Sequence, residues 1–504
     1  MRAFPVLPRP LAALAALVVG AGALAPAAAQ SLLDAFEPSV TEFTLDNGMT
    51  FIVVERRDAP VASFFTYANV GGVDEPSGQT GVAHMFEHMA FKGTRVLGTL
   101  DLDAELAALD TEEQAYLALR TARLTGAPDE EVARLEEQFV AARDSAVLYR
   151  EEAAFDGVLT RNGAVGLNAF TSADQTGYFY SLPSNKVELW FATESDRFAN
   201  PVLREFYQER DVVMEERRLR TESNPVGRLF EEFLTTAFKA HPYGQPVVGH
   251  LSDLQNLSRT EAEAFFERYY NVNNLTVAIV GDVDPAEVRQ LADRYFGPVP
   301  GAPEPDPVRT VEPEQLGERR VTIVDQAQPF LFVGYHRPSE SHPDAAAFAV
   351  LADILDAGRT SRFYTALVEA ERAVQTAVFP AFPGEKYPAL FTVIGVPAPG
   401  VDPDSLEADI YAVLDGVVED GVTAEELARA QTRARAQLVQ SLESNQGLGI
   451  ALAEAEVLDG DWRAVFRQLD AIGAVTAEDV QRVARETFRR ENRTVATLRT
   501  EAES

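Results

Sequence analysis

Cysteine is absent from all 504 residues. Its absence excludes disulfides, a thiol nucleophile, thiolate metal ligands and a lipid anchor of the lipoprotein type. Histidine is scarce, with six in the chain, so any clustering of imidazoles carries information. Basic charge is outnumbered: 44 Lys and Arg stand against 78 Asp and Glu, a formal net charge of −34. That balance disfavours nucleic acid and anionic lipid as partners. Long apolar runs are confined to residues 11–24, behind Arg2 and Arg9 and ahead of Ala27-Ala28-Ala29. This is the three-part pattern of a secretory signal peptide, and the apolar run is short for a bilayer span. The expectation is a leader over residues 1–29, cleaved near Ala29. Loss of Arg2 and Arg9 takes the net charge to 42 − 78 = −36. No later run is apolar for long enough to span a bilayer, so the expected product is soluble and exported across the inner membrane to the periplasm.

The length exceeds what one core accommodates and implies two or more domains. Residues 42–45 and 50–54 read as strands joined by Asp46-Asn47-Gly48, a strong hairpin signal. Residues 61–70 read as a further strand, and 81–91 as a helix. Residues 101–151 carry apolar positions at helical spacing on both sides of Thr125-Gly126-Ala127-Pro128. They read as a charged helical hairpin projecting from the domain. A β-rich stretch follows at 167–182, then helical patterns at 186–199 and 205–221, and a buried-type strand at 275–280. Residues 298–318 have the Pro- and Glu-rich composition of a linker. The predicted organisation is therefore a domain over 30–297, with the hairpin inserted at about 101–151, and a second domain over 319–504. A faint repeat supports duplication. Leu257-Ser258-Arg259-Thr260-Glu261 and Val475-Thr476-Ala477-Glu478-Asp479 are 218 apart (475 − 257), as are Thr276 and Thr494 (494 − 276). The fold class this implies is α+β: two homologous α/β-sandwich domains, each a mixed sheet with helices.

The segment His84-Met85-Phe86-Glu87-His88 carries the chemistry. On a helix, residues four apart share a face, so both imidazoles can reach one ion. A catalytic zinc takes three protein ligands and keeps a place for water, and Glu87 stands where a carboxylate can take that water's proton. The order is HxxEH rather than HExxH. The third ligand must come from elsewhere. Glu209 and Glu216 lie seven apart on a helical, acid-rich stretch, two turns along one face, and either can serve.

With these motifs in place, the sequence resembles the pitrilysin–insulinase family, most closely its mitochondrial-processing-peptidase-like bacterial branch. The resemblance rests on four parts in order. The first runs from Asn69-Val70-Gly71-Gly72 through His84-Met85-Phe86-Glu87-His88 to Phe91-Lys92-Gly93-Thr94. The second is Leu167-Asn168-Ala169-Phe170-Thr171-Ser172 with Thr176 and Tyr178. The third is Glu209-Arg210-Asp211-Val212-Val213 through Glu216. The fourth joins His241-Pro242-Tyr243-Gly244 to Gly281-Asp282-Val283.

The resemblance implies half of a clam-like peptidase chamber that binds one zinc ion per chain through His84, His88 and Glu216. It implies Glu87 as general base, and Glu209 as an acid that supports a ligand from behind. It also implies Asn168, Ala169 and Phe170 as the strand edge on which an extended peptide pairs. The expected activity is that of a zinc metalloendopeptidase on peptides or unfolded segments. The alternative is a non-catalytic peptide-binding or scaffold subunit of such a complex. The family's second half often offers an arginine and a tyrosine to the substrate. Val368 and Gln375 occupy those places here, with Arg372 nearby. This departure implies a homologous partner subunit that supplies the clamp, or otherwise a homodimer.

Overall fold

The computed structural model describes residues 27–501. The expected leader lies outside these residues, apart from Ala27, Ala28 and Ala29, which open a helix over Ala27–Phe36. Among the described residues no helix is long and apolar enough to cross a membrane.

Two mixed sheets organise the chain. The first has six strands in the order β1-β2-β6-β3-β5-β4: β1 Val40–Thr44, β2 Thr50–Glu55, β3 Val61–Ala68, β4 Val165–Thr171, β5 Thr176–Pro183 and β6 Leu275–Gly281. The second has five in the order β7-β11-β8-β10-β9: β7 Arg319–Asp325, β8 Phe330–Arg337, β9 Ala373–Phe382, β10 Ala389–Pro397 and β11 Arg493–Thr500. β1 is the only addition that separates the two orders. In each sheet the last strand in sequence runs parallel to the first strand of the shared core (β2 with β6, β7 with β11) and antiparallel to its other neighbour. β6 is buried at every position, which explains why Leu275-Thr276-Val277-Ala278-Ile279-Val280 does not alternate. At the β1–β2 turn Gly48 has φ +92°, a left-handed conformation that suits glycine, and Asn47 donates to the carbonyls of Phe296 and Val299.

The repeat extends to individual hydrogen bonds. Ser258 and Thr476, 218 apart (476 − 258), both cap helices through a reciprocal capping box, with Glu261 and Asp479. Asn274 and Asn492, also 218 apart (492 − 274), each donate to two backbone carbonyls. The acceptors are Asn69 and Tyr269 in the first case, His336 and Thr487 in the second. Residues 269 and 487 are again 218 apart (487 − 269).

The packing crosses the repeat boundary. The helix Pro225–Ala237 lies on β7 and β11 of the second sheet, with Phe233 stacked on Phe332. The helix Asn445–Asp459 lies on β3 and β6 of the first, with Gly449 facing Ala278 and Val280. Each half thus covers the other's sheet. The Pro-rich stretch at 298–318 has no regular secondary structure. It is nevertheless tied down: the Glu312 carboxylate accepts from the backbone N–H groups of Lys239, Ala240 and His241.

The helical hairpin consists of Leu102–Leu124, capped by Asp101, and Asp129–Ala146. It does not project freely. Tyr116, Leu119 and Phe139 are buried in the first core, and Tyr116 and Phe139 pack on Tyr207 at ring-centroid distances of 4.4 and 5.1 Å. A buried ion pair, Arg204 with Glu105, fastens the hairpin's first helix to the same region.

Candidate metal centre

The histidine helix spans Val82–Met89 and buries Val82, Ala83, Met85, Phe86 and Met89 against the first core. Its start is set by Glu75, whose two carboxylate oxygens each accept at 2.8 Å from the N–H groups of Gly81 and Ala83. A carboxylate there satisfies orphan donors and suits the positive end of the helix. Phe86 packs on Phe265, Phe266 and Tyr270, on the helix Arg259–Tyr269 and just beyond it. That contact turns the opposite face, with His84 and His88, towards a second helix, Phe206–Arg217, which carries Glu209 and Glu216.

One ligand atom from each of His84, His88 and Glu216 lies within 4.8 Å of the others. The Glu216 Oε2 is 3.7 Å from His84 Nε2 and 3.4 Å from His88 Nε2. Ligands bound at about 2.0–2.1 Å in a tetrahedral shell lie about 3.3 Å from one another, so these separations fit a single zinc ion. The two rings stand perpendicular, centroids 5.0 Å apart. His84 is 5 % exposed while His88 and Glu216 are only partly buried, so the triad is reached from one side.

The electrostatics distinguish the two imidazoles. Burial pushes His84 down to about 4. Contacts with Glu209 and then Glu216 push His88 up to about 9. The His88 contact holds the Glu216 carboxyl below its usual range. Burial opposes ionisation of Glu209, but His88 and Lys92 together bring its carboxyl below the usual range. The Glu209 Oε2 faces His88 Nδ1 at 3.4 Å. A proton on Nδ1 directed at Glu209 leaves the Nε2 lone pair free for a metal. Glu87 stands beside the triad, its Oε2 3.9 Å from His84 Nε2, and burial raises its carboxyl.

The other expected residues fall as follows. Asn168, Ala169 and Phe170 lie on β4, which among the described residues is the outer strand of its sheet and pairs only with β5. Asn168 is exposed and Ala169 buried, and the histidine helix packs against this strand. In the second half, Val368 packs against the core and Gln375 is exposed on β9. Arg372 forms a half-exposed ion pair with Asp409 at 2.7 Å. Sequence reasoning gave Glu75 no role and did not foresee the Lys92–Glu205 contact. Glu75 was recognisable as an acid just ahead of a helix start, whereas Lys92 and Glu205 are brought together only by the fold.

Two family models match the chain. "Insulinase (Peptidase family M16)" covers residues 51–122 and 148–250, and "Peptidase M16 inactive domain" covers 256–434. The interruption falls on the hairpin's turn and second helix. The zinc protease PqqE of Helicobacter pylori is 27% identical over 466 residues, covering 90% of this chain and 91% of that protein. A crystal structure of a protease from Helicobacter pylori superposes with a TM-score of 0.76 at 25% identity, covering 91% of this chain and 99% of that one. The periplasmic protease PqqL from Escherichia coli shares the fold at a TM-score of 0.64 and 17% identity; 92% of this chain matches 47% of that one. The chain belongs to the insulinase family of peptidases, family M16.

Proposed function

We propose that this protein is a zinc metalloendopeptidase that hydrolyses peptides or unfolded protein segments. The observation that carries the reading is the convergence of His84, His88 and Glu216, with the Glu87 carboxylate alongside. Zinc at such a triad supplies Lewis acidity, which polarises a carbonyl and acidifies water. Glu87 takes the proton from the attacking water and delivers it to the leaving amine nitrogen. Its raised affinity for that proton, caused by burial, suits a group that must hold it between the two transfers. The outer edge of β4 offers unpaired backbone groups, and an extended peptide added there would run beside the histidine helix. Glu209 supports the reading as the acid that orients His88.

The second half carries no metal motif, and its Arg372 is paired with Asp409. On this reading a homologous subunit, or a second copy of the chain, supplies the groups that clamp the peptide. The leader expected over residues 1–29 favours the periplasm as the place of action. The deciding experiment is metal analysis with peptide digestion for wild type and Glu87→Gln, each with and without any co-purifying chain. Zinc in both and cleavage reduced at least ~100-fold in Glu87→Gln is the expected result. Unchanged cleavage by the zinc-loaded variant would exclude Glu87 as the base. Peptide binding without turnover in every preparation would leave the non-catalytic reading.

A further inference from the structure

We propose that Lys92 is a positioning residue for the metal centre, and that Glu205 and Arg150 hold it, so that the exit of the helical hairpin sets the placement of His88. The inference rests on the metallopeptidase reading above. Glu205 and Glu209 lie one turn apart at the start of the helix Phe206–Arg217, where Glu209 N–H donates to the Glu205 carbonyl. Two carboxylates at this spacing repel each other. Lys92 stands between them, its Nζ 2.5 Å from Glu209 Oε1 and 3.6 Å from Glu205 Oε2. The ammonium engages one oxygen of Glu209 and leaves the other, Oε2, aimed at His88 Nδ1. Without that grip the carboxylate is free to rotate away from the ring.

The far end of the chain of contacts is the hairpin. Arg150, three residues beyond Val147 where the hairpin's last helical turn begins, is bound to Glu205 through a close guanidinium–carboxylate contact. Glu205 has φ +60°, a left-handed conformation that a residue with a side chain adopts only when its surroundings hold it there. Its neighbour Arg204 is 3% exposed and binds Glu105 of the hairpin's first helix. Arg204 also donates to the carbonyls of Lys92, Thr94 and Leu97, so it fixes the backbone that leaves the histidine helix. Both ends of the hairpin therefore grip the shoulder from which Lys92 and Glu209 reach the site.

The test is zinc affinity of the full chain by competition with a chromophoric chelator, together with the visible spectrum of the cobalt-loaded protein. Lys92→Met is expected to weaken zinc binding ~10–100-fold, with most of the affinity regained in Lys92→Arg. Arg150→Met should act in the same direction and less strongly. The Lys92→Met effect should vanish in a Glu209→Gln background, since Lys92 acts through that carboxylate. If Lys92→Met lowers the thermal midpoint, the Lys92→Arg and Arg150→Met variants decide the matter. Zinc affinity within twofold of wild type and an unchanged cobalt spectrum in Lys92→Met would overturn the proposal. So would an equal loss with and without Glu209. Wild type with no zinc affinity would sink the metallopeptidase reading as well, whereas zinc-binding wild type beside an indifferent Lys92→Met sinks this inference alone.

Discussion

At the scale of single residues, the centre depends on side chains that hold other side chains. Glu75 illustrates this. It is buried and contributes two acceptors to the first turn of the histidine helix. Replacing it with alanine leaves two N–H groups without acceptors. Glu75→Ala is expected to cost ~2 kcal/mol of unfolding free energy, read by urea titration, and to weaken zinc affinity because the helix start carries His84. A loss below ~0.5 kcal/mol would contradict the cap. Glu216 has a different task. On the metallopeptidase reading Glu216→Ala removes an anionic ligand, so metal analysis after dialysis should find the variant largely empty beside a loaded wild type. Full retention of zinc would place the third ligand elsewhere.

At the scale of elements, caps and ion pairs hold the helices that pack around the second half. Glu426 closes a capping box with Thr423 at the start of Ala424–Glu443 and also binds Arg362. Arg362 and the cap hold its carboxyl down to about 2. The folded value lies below the unfolded one, near 4.5. The stabilisation is therefore fully present above pH 4.5 and is lost as pH falls towards 2. Glu426→Gln should be less stable than wild type by ~1–3 kcal/mol at neutral pH, with the gap narrowing below pH 4.5 and closing only as pH approaches about 2. A gap that stays constant with pH would exclude the ionised cap as its source. The exchanged helices make a second case. Leu452 is fully buried where Asn445–Asp459 covers the first sheet, and Leu452→Ala should cost ~2–5 kcal/mol.

At the scale of the whole molecule, reciprocal covering of the sheets makes the halves mutually dependent. One face of each sheet is covered by helices of its own half, and a helix from the other half covers strands of the same sheet as well. Calorimetry on the metal-free chain should therefore show one cooperative transition, with Leu452→Ala lowering it as a unit. Two separable transitions, only one of them shifted by Leu452→Ala, would show that the halves fold independently. The hairpin is part of the same argument, since Tyr116 and Phe139 join it to the first core and Arg150 and Glu105 join it to the metal shoulder.

Much of this was legible in the sequence, for local reasons. The Asn-Gly turn and helical spacing act over a few positions, so β1, β2 and the histidine helix could be read directly. The i, i+4 geometry of His84 and His88 is likewise a property of one helix, and the internal repeat survives as spacing alone. Contacts between distant parts of the chain were not legible. The sequence left Glu209 and Glu216 as equal candidates until the resemblance separated them. In the structure Glu216 stands between the two Nε2 atoms while Glu209 lies behind His88, because Phe86 and the Arg204 anchor fix the angle between two helices more than a hundred residues apart. The exchange of Pro225–Ala237 and Asn445–Asp459 was hidden for the same reason. An amphipathic helix records that one face must be covered, and only tertiary packing decides which sheet covers it.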